Sequence, residues 1–381
     1  MSAPTRNLLE KVKRLVPPML EKFHKGIETS IAILLKFPYS FCVRETPSVE
    51  PRANCRDRAT WPCGRDWGEH RSHVICEPSA ATVIKSYSPN LMVHPILQST
   101  KSLAKTSSTP DPRHHAEPII SFLPRIHVLV IGPGLGRDPM TQKIVVEVMK
   151  EARAKHIPMV LDADALMLVQ SDPALVKGYD GCILTPNVVE FGRLAEALGV
   201  DVSMAEKGRR SDDDGDRKQG QSEACERLSR ALDGVMIIQK GMHDVISNGV
   251  TSLISDVEGG RKRSGGQGDT LTGSLGTFLA WRKAYHEGLW DTGEEASSKH
   301  QEAESRDEVE SELHDDAQKM KKKLSPKTTL LLAAWAGSAI TRECSRRAYL
   351  AKGRSMQASD LTEEVHRAFL DIIGEPEASK L

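Results

Sequence analysis

Four short apolar runs through the middle of the chain, Ile126-His-Val-Leu-Val-Ile131, Pro158-Met-Val-Leu161, Gly181-Cys-Ile-Leu184 and Val235-Met-Ile-Ile238, lack the apolar–polar alternation of a half-exposed strand. A strand apolar on both sides must be covered on both sides, and segments of helical length (140–155, 165–170, 188–198) lie between the runs. Strands and helices alternating in this way predict a mainly parallel sheet with helices on both faces, an α/β fold of the three-layer αβα sandwich type. Upstream, His73-Val-Ile-Cys-Glu77 and Leu91-Met-Val-His-Pro95 bracket the helix-like Ala80 to Tyr87, a further βαβ rhythm. Downstream come hairpin-like strands around Asp244 to Ile254 and two long helices, about 269–285 and 327–349.

The chain's 381 residues suffice for one large domain or two ordinary ones, and the pattern favours one sandwich over 72–376. Lys+Arg and Asp+Glu both number 52, so no net field favours nucleic acid or an anionic membrane. Apolar stretches such as Leu330 to Ala336 fall far short of the roughly 18 residues of a membrane helix, and the first 25 residues lack a signal-type apolar core. The expected location is the cytoplasm. Seven cysteines without a close pair read as reduced thiols, and His70 with His73 has no third ligand at matching spacing.

Residues 1–25 begin as a surface helix that Pro17 and Pro18 should stop. The stretch 26–71 is anomalous: Ile31 to Phe41 is apolar, the remainder mixes Cys, Arg, Pro and Trp without a period, and we assign it to no packed element. The composition of Ile31 to Phe41 permits a buried strand despite Lys36 and Pro38. Three polar segments near 101–117, 206–222 and 291–325 are expected to be surface loops or insertions.

The chemistry concentrates in Arg263-Ser-Gly-Gly-Gln-Gly-Asp269, between strands and a helix. Glycines there let the backbone approach a ligand, and the amides opening the helix make an anion hole for phosphate. Asp269 would repel a phosphate that is merely bound, but it suits a base taking a hydroxyl proton while the amides hold the phosphoryl group. The bland alternative is an Asp N-cap. Gly132-Pro-Gly-Leu-Gly136 is a second glycine turn and a poor dinucleotide fingerprint, although Asp162 or Asp164 supplies a carboxylate beyond the next strand. Leu161-Asp-Ala-Asp164 and Thr185-Pro-Asn-Val-Val-Glu-Phe-Gly-Arg193 fall at strand C-termini, where open parallel sheets place ligands.

Together, Gly132-Pro-Gly-Leu-Gly, Leu161-Asp-Ala-Asp-Ala-Leu, Leu184-Thr-Pro-Asn-Val-Val-Glu-Phe, Gln239-Lys-Gly-x-x-Asp244, Gly265-Gly-Gln-Gly-Asp and Lys352-Gly-Arg-Ser-Met with Ser359-Asp360 resemble the ribokinase-like superfamily. Within it they are most similar to the ATP-dependent NAD(P)H-hydrate dehydratases, from about His73 to Gly374. The resemblance implies ATP-driven dehydration of the S form of NADH or NADPH hydrate, with Mg²⁺ as cofactor. Carried onto matching positions, it implies that Gly134, Asn187, Val188, Val189, Glu190, Phe191, Gly192 and Arg193 contact the hydrated dinucleotide. It implies that Lys240, Gly241, Met242, His243 and Asp244, with Gly259, Gly260, Arg261, Lys262, Arg263, Ser264, Gly265, Gly266, Gln267 and Gly268, hold ATP, and that Asp269 faces the hydrate's hydroxyl. Glu190 is a candidate metal anchor, against a rim salt bridge. Family members follow the N-terminal helix with a strand, a Gly-Gly-Ser turn and a further helix. Gly26 to Arg71 contains none of these motifs, as a frame or splicing difference would leave it, which implies a missing first strand. The alternatives are a small-molecule kinase of the hydroxymethylpyrimidine or thiazole type on the same fold, and an impaired isoform that still binds nucleotide.

Overall fold

The computed structural model describes residues 3–18, 30–35, 71–104, 111–203, 214–294, 306–317 and 322–374. The chain begins with α1 (Ala3–Lys13), β1 (Ser30–Leu35), β2 (Arg71–Cys76), α2 (Pro78–Tyr87), β3 (Met92–His94), α3 (Thr100–Leu103) and α4 (Pro112–Ile120). It continues through β4 (Val128–Ile131), α5 (Pro139–Ala154), β5 (Met159–Leu161), α6 (Asp164–Ser171), β6 (Cys182–Leu184), α7 (Val188–Ala197) and α8 (Asp214–Ala231). It closes with β7 (Met236–Gln239), β8 (Asp244–Ser247), β9 (Ser252–Ser255), α9 (Gln267–Glu287), α10 (Arg306–His314), α11 (Pro326–Lys352), α12 (Ala358–Glu363) and α13 (Val365–Ile372).

Among the described residues the apolar runs pair into one nine-stranded sheet in the order β3-β2-β1-β4-β5-β6-β7-β8-β9. The pairing is parallel from β3 to β7 and antiparallel in the β7-β8 and β8-β9 ladders. Successive side chains point to opposite faces, so each run feeds two cores. Ile31, Ile33, Val128, Val130, Val160 and Ile183 pack with α1, α9, α11 and α13. Ala32, Leu129, Ile131, Met159, Leu161 and Leu184 pack with α4, α5, α6, α7 and α8 on the other side. The helices start where polar caps allow: Asp138 Oδ1 accepts from the Met140 and Thr141 amides at 3.1 and 3.0 Å, with Pro139 in the first position.

The structure corrects the reading of the stretch 26–71. Ser30–Leu35 is an inner strand, in register with β2 on one side and β4 on the other, and Ile31, Ala32 and Ile33 are buried. The window Ser30-Ile-Ala-Ile-Leu-Leu carries no charge or proline, and partner strands supply the specificity that its lack of period withholds. Residues 26–29 and 36–70, where the missing turn and helix were expected, lie outside the described residues.

The three polar segments are also more structured than expected. In 101–117, helix α4 buries Ala116, and beyond the segment it buries Ile119. In 206–222, α8 begins at Asp214 and goes on to bury Ala224, Cys225 and Leu228. In 291–325, α10 buries Val309 and Leu313. There Lys11 donates to the Leu313 carbonyl at 2.6 Å, and the N-terminal helix, expected on the surface, buries Leu9, Val12 and Lys11 itself. Average polarity hid these elements because each needs only one apolar stripe.

If β1 is an inner strand, Ile31→Ala removes a fully buried side chain from between the sheet and α9. The expected cost is about 2–5 kcal/mol. It should appear as a lower denaturant midpoint with an unchanged slope, and an unmoved midpoint would show that the segment does not belong in the sheet.

Candidate active site

Parallel pairing brings the C-terminal ends of β4 to β7 to one edge, and the glycine turns and carboxylates follow those ends. After β4, Gly132 has φ +121°, and a Cβ built on it would stand 1.7 Å from the Asp162 carbonyl oxygen, so no side chain fits. The turn after β5 is held tightly. Asp162 donates its amide to the Ile131 carbonyl at 3.1 Å, and its own carbonyl accepts from Ala165 at 3.1 Å. Ala163 between them sits at φ 49°, ψ −118°, a region that costs a non-glycine residue of order 1–3 kcal/mol. The two flanking carboxylates have different partners. Asp164 accepts from the Gly136 amide at 2.9 Å and lies 3.6 Å from Arg137. Asp162, 4% exposed, accepts from the Lys240 ammonium at 2.6 Å.

Helix α9 starts beside that ion pair. Gly266, at φ +94°, takes the cap position, so Asp269 lies inside the first turn and the N-cap reading is set aside. Its Oδ2 atom is buried and has no hydrogen-bond partner among the described residues. Burial pushes the Asp269 carboxyl up to about 8, the Asp162 charge adds to the rise, and Lys240 offsets part of it. Gly268 lies against the pair, since a Cβ there would stand 2.8 Å from Asp162 Oδ2 and 3.8 Å from the Lys240 nitrogen.

A cavity of about 740 Å³ opens in front of this corner. Of the expected nucleotide residues, Lys240, Gly241, Met242, His243, Asp244, Gly259, Gly260, Arg261, Arg263, Ser264, Gln267 and Gly268 line it. Three do not. Lys262 donates to the Arg354 and Met356 carbonyls at 2.7 Å each, Gly265 is exposed, and Gly266 forms the helix cap. Asp256, Glu258, Leu271, Thr341, Arg342 and Ser345 line it without having been foreseen. Arg342 donates to the Met242 and Val257 carbonyls and lies 3.3 Å from Asp244, whose other oxygen accepts from Ser338 at 2.7 Å. The signal available for Thr341, Arg342 and Ser345 was the change from apolar to polar residues partway along the helix predicted over 327–349.

Of the run assigned to the dinucleotide, Asn187 lines this same cavity and the others do not. Asn187 and Glu190 form a capping box: Asn187 Oδ1 accepts from the Val189 and Glu190 amides at 2.9 and 3.0 Å, and Glu190 Oε2 accepts from the Asn187 amide at 2.8 Å. This contact replaces the rim salt bridge considered for Glu190. The Phe191 ring is in the core at 1% exposure, which excludes it as a side-chain ligand. Val188 is half-buried, while Val189, Gly192 and Arg193 are exposed on α7. Gly134, at φ +64°, stands in the turn after β4. Among the described residues no group of three or more His, Cys, Asp or Glu is placed to hold a metal.

A family model described as NAD(P)H-hydrate dehydratase matches residues 67–325. A protein of Ajellomyces capsulatus called ATP-dependent (S)-NAD(P)H-hydrate dehydratase is 59% identical, the match covering 100% of both chains. A protein of Emericella nidulans with the same name is 60% identical over 100% of this chain and 97% of its own. Among solved structures, a hypothetical protein from Streptococcus mutans superposes with a TM-score of 0.58 at 16% identity, covering 96% of this chain and 98% of its own. A ribokinase-like superfamily protein from Enterococcus faecalis does so with a TM-score of 0.54 at 14% identity, covering 96% and 95%. These two superpositions establish the fold, a ribokinase-like αβα sandwich.

The raised Asp269 carboxyl has a sign in stability. The folded protein keeps this proton up to about pH 8, whereas the unfolded chain releases it near 3.8, so stability falls as pH rises between those values, by at most about 1.4 kcal/mol per pH unit. Asp269→Asn removes that loss. Its thermal midpoint should exceed the wild type's by a margin that widens from pH 5 to 8; a margin independent of pH would mean that Asp269 is ionised in the fold.

Proposed function

The chain belongs to the NAD(P)H-hydrate dehydratase family, and on that premise we propose that it repairs nicotinamide cofactors, using ATP to dehydrate the S form of NAD(P)H hydrate. The observation that carries the mechanism is the Asp269 Oδ2 atom in the first turn of α9, buried without a hydrogen-bond partner among the described residues and one residue beyond Gly268, which lines a cavity large enough for a nucleotide. ATP lies along Lys240 to Asp244 and the cavity-lining residues Gly259, Gly260, Arg261, Arg263, Ser264, Gln267 and Gly268, its terminal phosphate against the amides that open α9. The hydrate approaches from the turn after β4, past Gly134. Asp269 takes the proton of the C6 hydroxyl, the oxygen attacks the γ-phosphorus, and the bond to ADP breaks. The C6–O bond then breaks with its electron pair leaving on phosphate, a better leaving group than hydroxide, and loss of the C5 proton restores the dihydronicotinamide.

Mg²⁺ belongs to the same proposal. The donor set suits an ion held by the nucleotide itself, since the protein offers no three-ligand cage among the described residues and Mg²⁺ commonly takes one or two carboxylates plus phosphates. Glu190 would be the protein's carboxylate: it does not line the cavity itself but caps Asn187, which does, through Oε2 alone. The ion would offset the phosphate charge. We also place the reaction in the cytoplasm: Cys76, Cys182, Cys225 and Cys344 are free and buried, and no described helix is long and apolar enough to cross a membrane.

The direct test is the return of reduced-nicotinamide absorbance from hydrate plus ATP, with free phosphate released. A stable phosphorylated product would make the protein a kinase instead. Asp269→Asn should lower turnover by roughly two to four decades with ATP affinity nearly unchanged, because the amide keeps the shape and cannot accept the proton. In the wild type, kcat/KM should rise with pH along an acid limb near 8. Gly268→Val should raise the KM for ATP and lower kcat together, since its side chain meets Asp162 and blocks the backbone's approach to phosphate. Unchanged ATP kinetics would move the nucleotide elsewhere.

A further inference from the structure

The chemistry just described uses Asp269, the α9 amides and the nucleotide, and leaves Asp162 without a task, although it is the more deeply buried of the two carboxylates at this corner. Asp162 is also the more constrained. Its backbone is fixed to β4 and α6, Gly132 lies against its carbonyl, and the strained Ala163 follows it. Such strain persists only where the surroundings hold it in place. The Lys240 ammonium that Asp162 holds at 2.6 Å stands on the first residue after β7, whose own amide is tied to the Pro186 carbonyl at 2.8 Å. Among the described residues, the charged groups that act on Asp269 are these two, Asp162 from the end of β5 and Lys240 from the end of β7.

Resting on the dehydratase reading, we propose that Asp162 is a positioning residue of the reaction: it claims Lys240 as its ion-pair partner and so keeps that ammonium from pairing with the catalytic carboxylate. A base is effective when its proton affinity is matched to the working pH, and a carboxylate in a direct ion pair with lysine would be a weak one. Burial raises the affinity of Asp269, and Lys240, whose nitrogen would lie 3.8 Å from a Cβ on the adjoining Gly268, already offsets part of that rise; a direct ion pair would offset more. Asp162 removes the lysine's freedom to form one and adds a like charge. The geometry therefore divides the work of two carboxylates, one paired with lysine and one kept out of a direct ion pair.

The test compares the pH dependence of kcat/KM in the wild type, Asp162→Asn and Lys240→Met. Asp162→Asn should move the acid limb down by about 1–3 pH units as Lys240 turns to Asp269. Lys240→Met should move it up, away from neutrality. A readout without turnover runs beside it: the thermal margin conferred by Asp269→Asn should widen with pH in the wild-type background and lose that widening when Asp162→Asn is also present. Opposite shifts of the limb in the two single variants support the proposal. Limbs that stay in place, or move the same way, overturn it, as does a margin that widens equally with and without Asp162→Asn, which would leave Asp162 only a structural role. Should Asp162→Asn fail to fold, an unmoved or lowered limb in Lys240→Met overturns the proposal by itself. Absence of turnover in the wild type would count against the dehydratase reading, while the thermal comparison would still decide the ion-pair assignment.

Discussion

Helix α9 is buried on the sheet beside α11, and its approach to both is close enough that glycines stand at the contacts. A Cβ on Gly276 would lie 3.4 Å from Ile31 and 3.6 Å from Val130, and one on Gly337 would lie 2.6 Å from the Leu275 side chain. Because α9 lies that near the sheet, its first turn ends beside the C-termini of the strands rather than above them. Asp269 then faces Asp162 and Lys240, and the amides around Gly268 border the cavity. A helix one side chain farther out would leave the carboxylate in water, with an ordinary proton affinity. Packing of glycine against apolar side chains thus sets the electrostatics of a site about two turns away along the same helix.

The cost of that arrangement is borne as instability. A carboxylate oxygen buried without a hydrogen-bond partner among the described residues and a non-glycine residue at φ 49° both oppose folding, and they cluster at one corner beside the Asp162–Lys240 ion pair. The sheet around them compensates with strands buried on both faces and two apolar cores. Local rules are broken at the strand ends and obeyed elsewhere, the distribution expected of a chain whose functional edge is stabilised by a regular interior.

Much of the site was legible because its motifs are backbone devices. Glycines at 132, 265, 266 and 268 announce turns whatever surrounds them, and the position of Asp269 after the last glycine already pointed to a carboxylate beside an anion hole. Phe191 shows where adjacency misleads: it stands within a polar run, yet the helical period turns it into the core while its exposed neighbours face outward. Arg342 and Ser345 were hidden for the opposite reason, being distant in sequence and brought to Gly260 only when α11 docks. Residues 30–35 were misjudged because a six-residue strand carries too little periodicity to be told from its irregular surroundings.

Apolar runs without polar alternation, spaced by helical segments, already specify a mainly parallel sheet covered on both faces, because such strands have no other stable environment. The sequence by itself also determined which glycine turns could admit phosphate, since that capacity resides in the backbone. Only the tertiary structure decided that Ser30–Leu35 joins β2 to β4, since strand order depends on pairing partners far apart in the chain. It alone decided that Lys240 answers to Asp162, 78 residues away, and that Asp269 is left holding its proton. Proton affinities are set by what surrounds a charge in space, and neither distance nor burial is written in the order of residues.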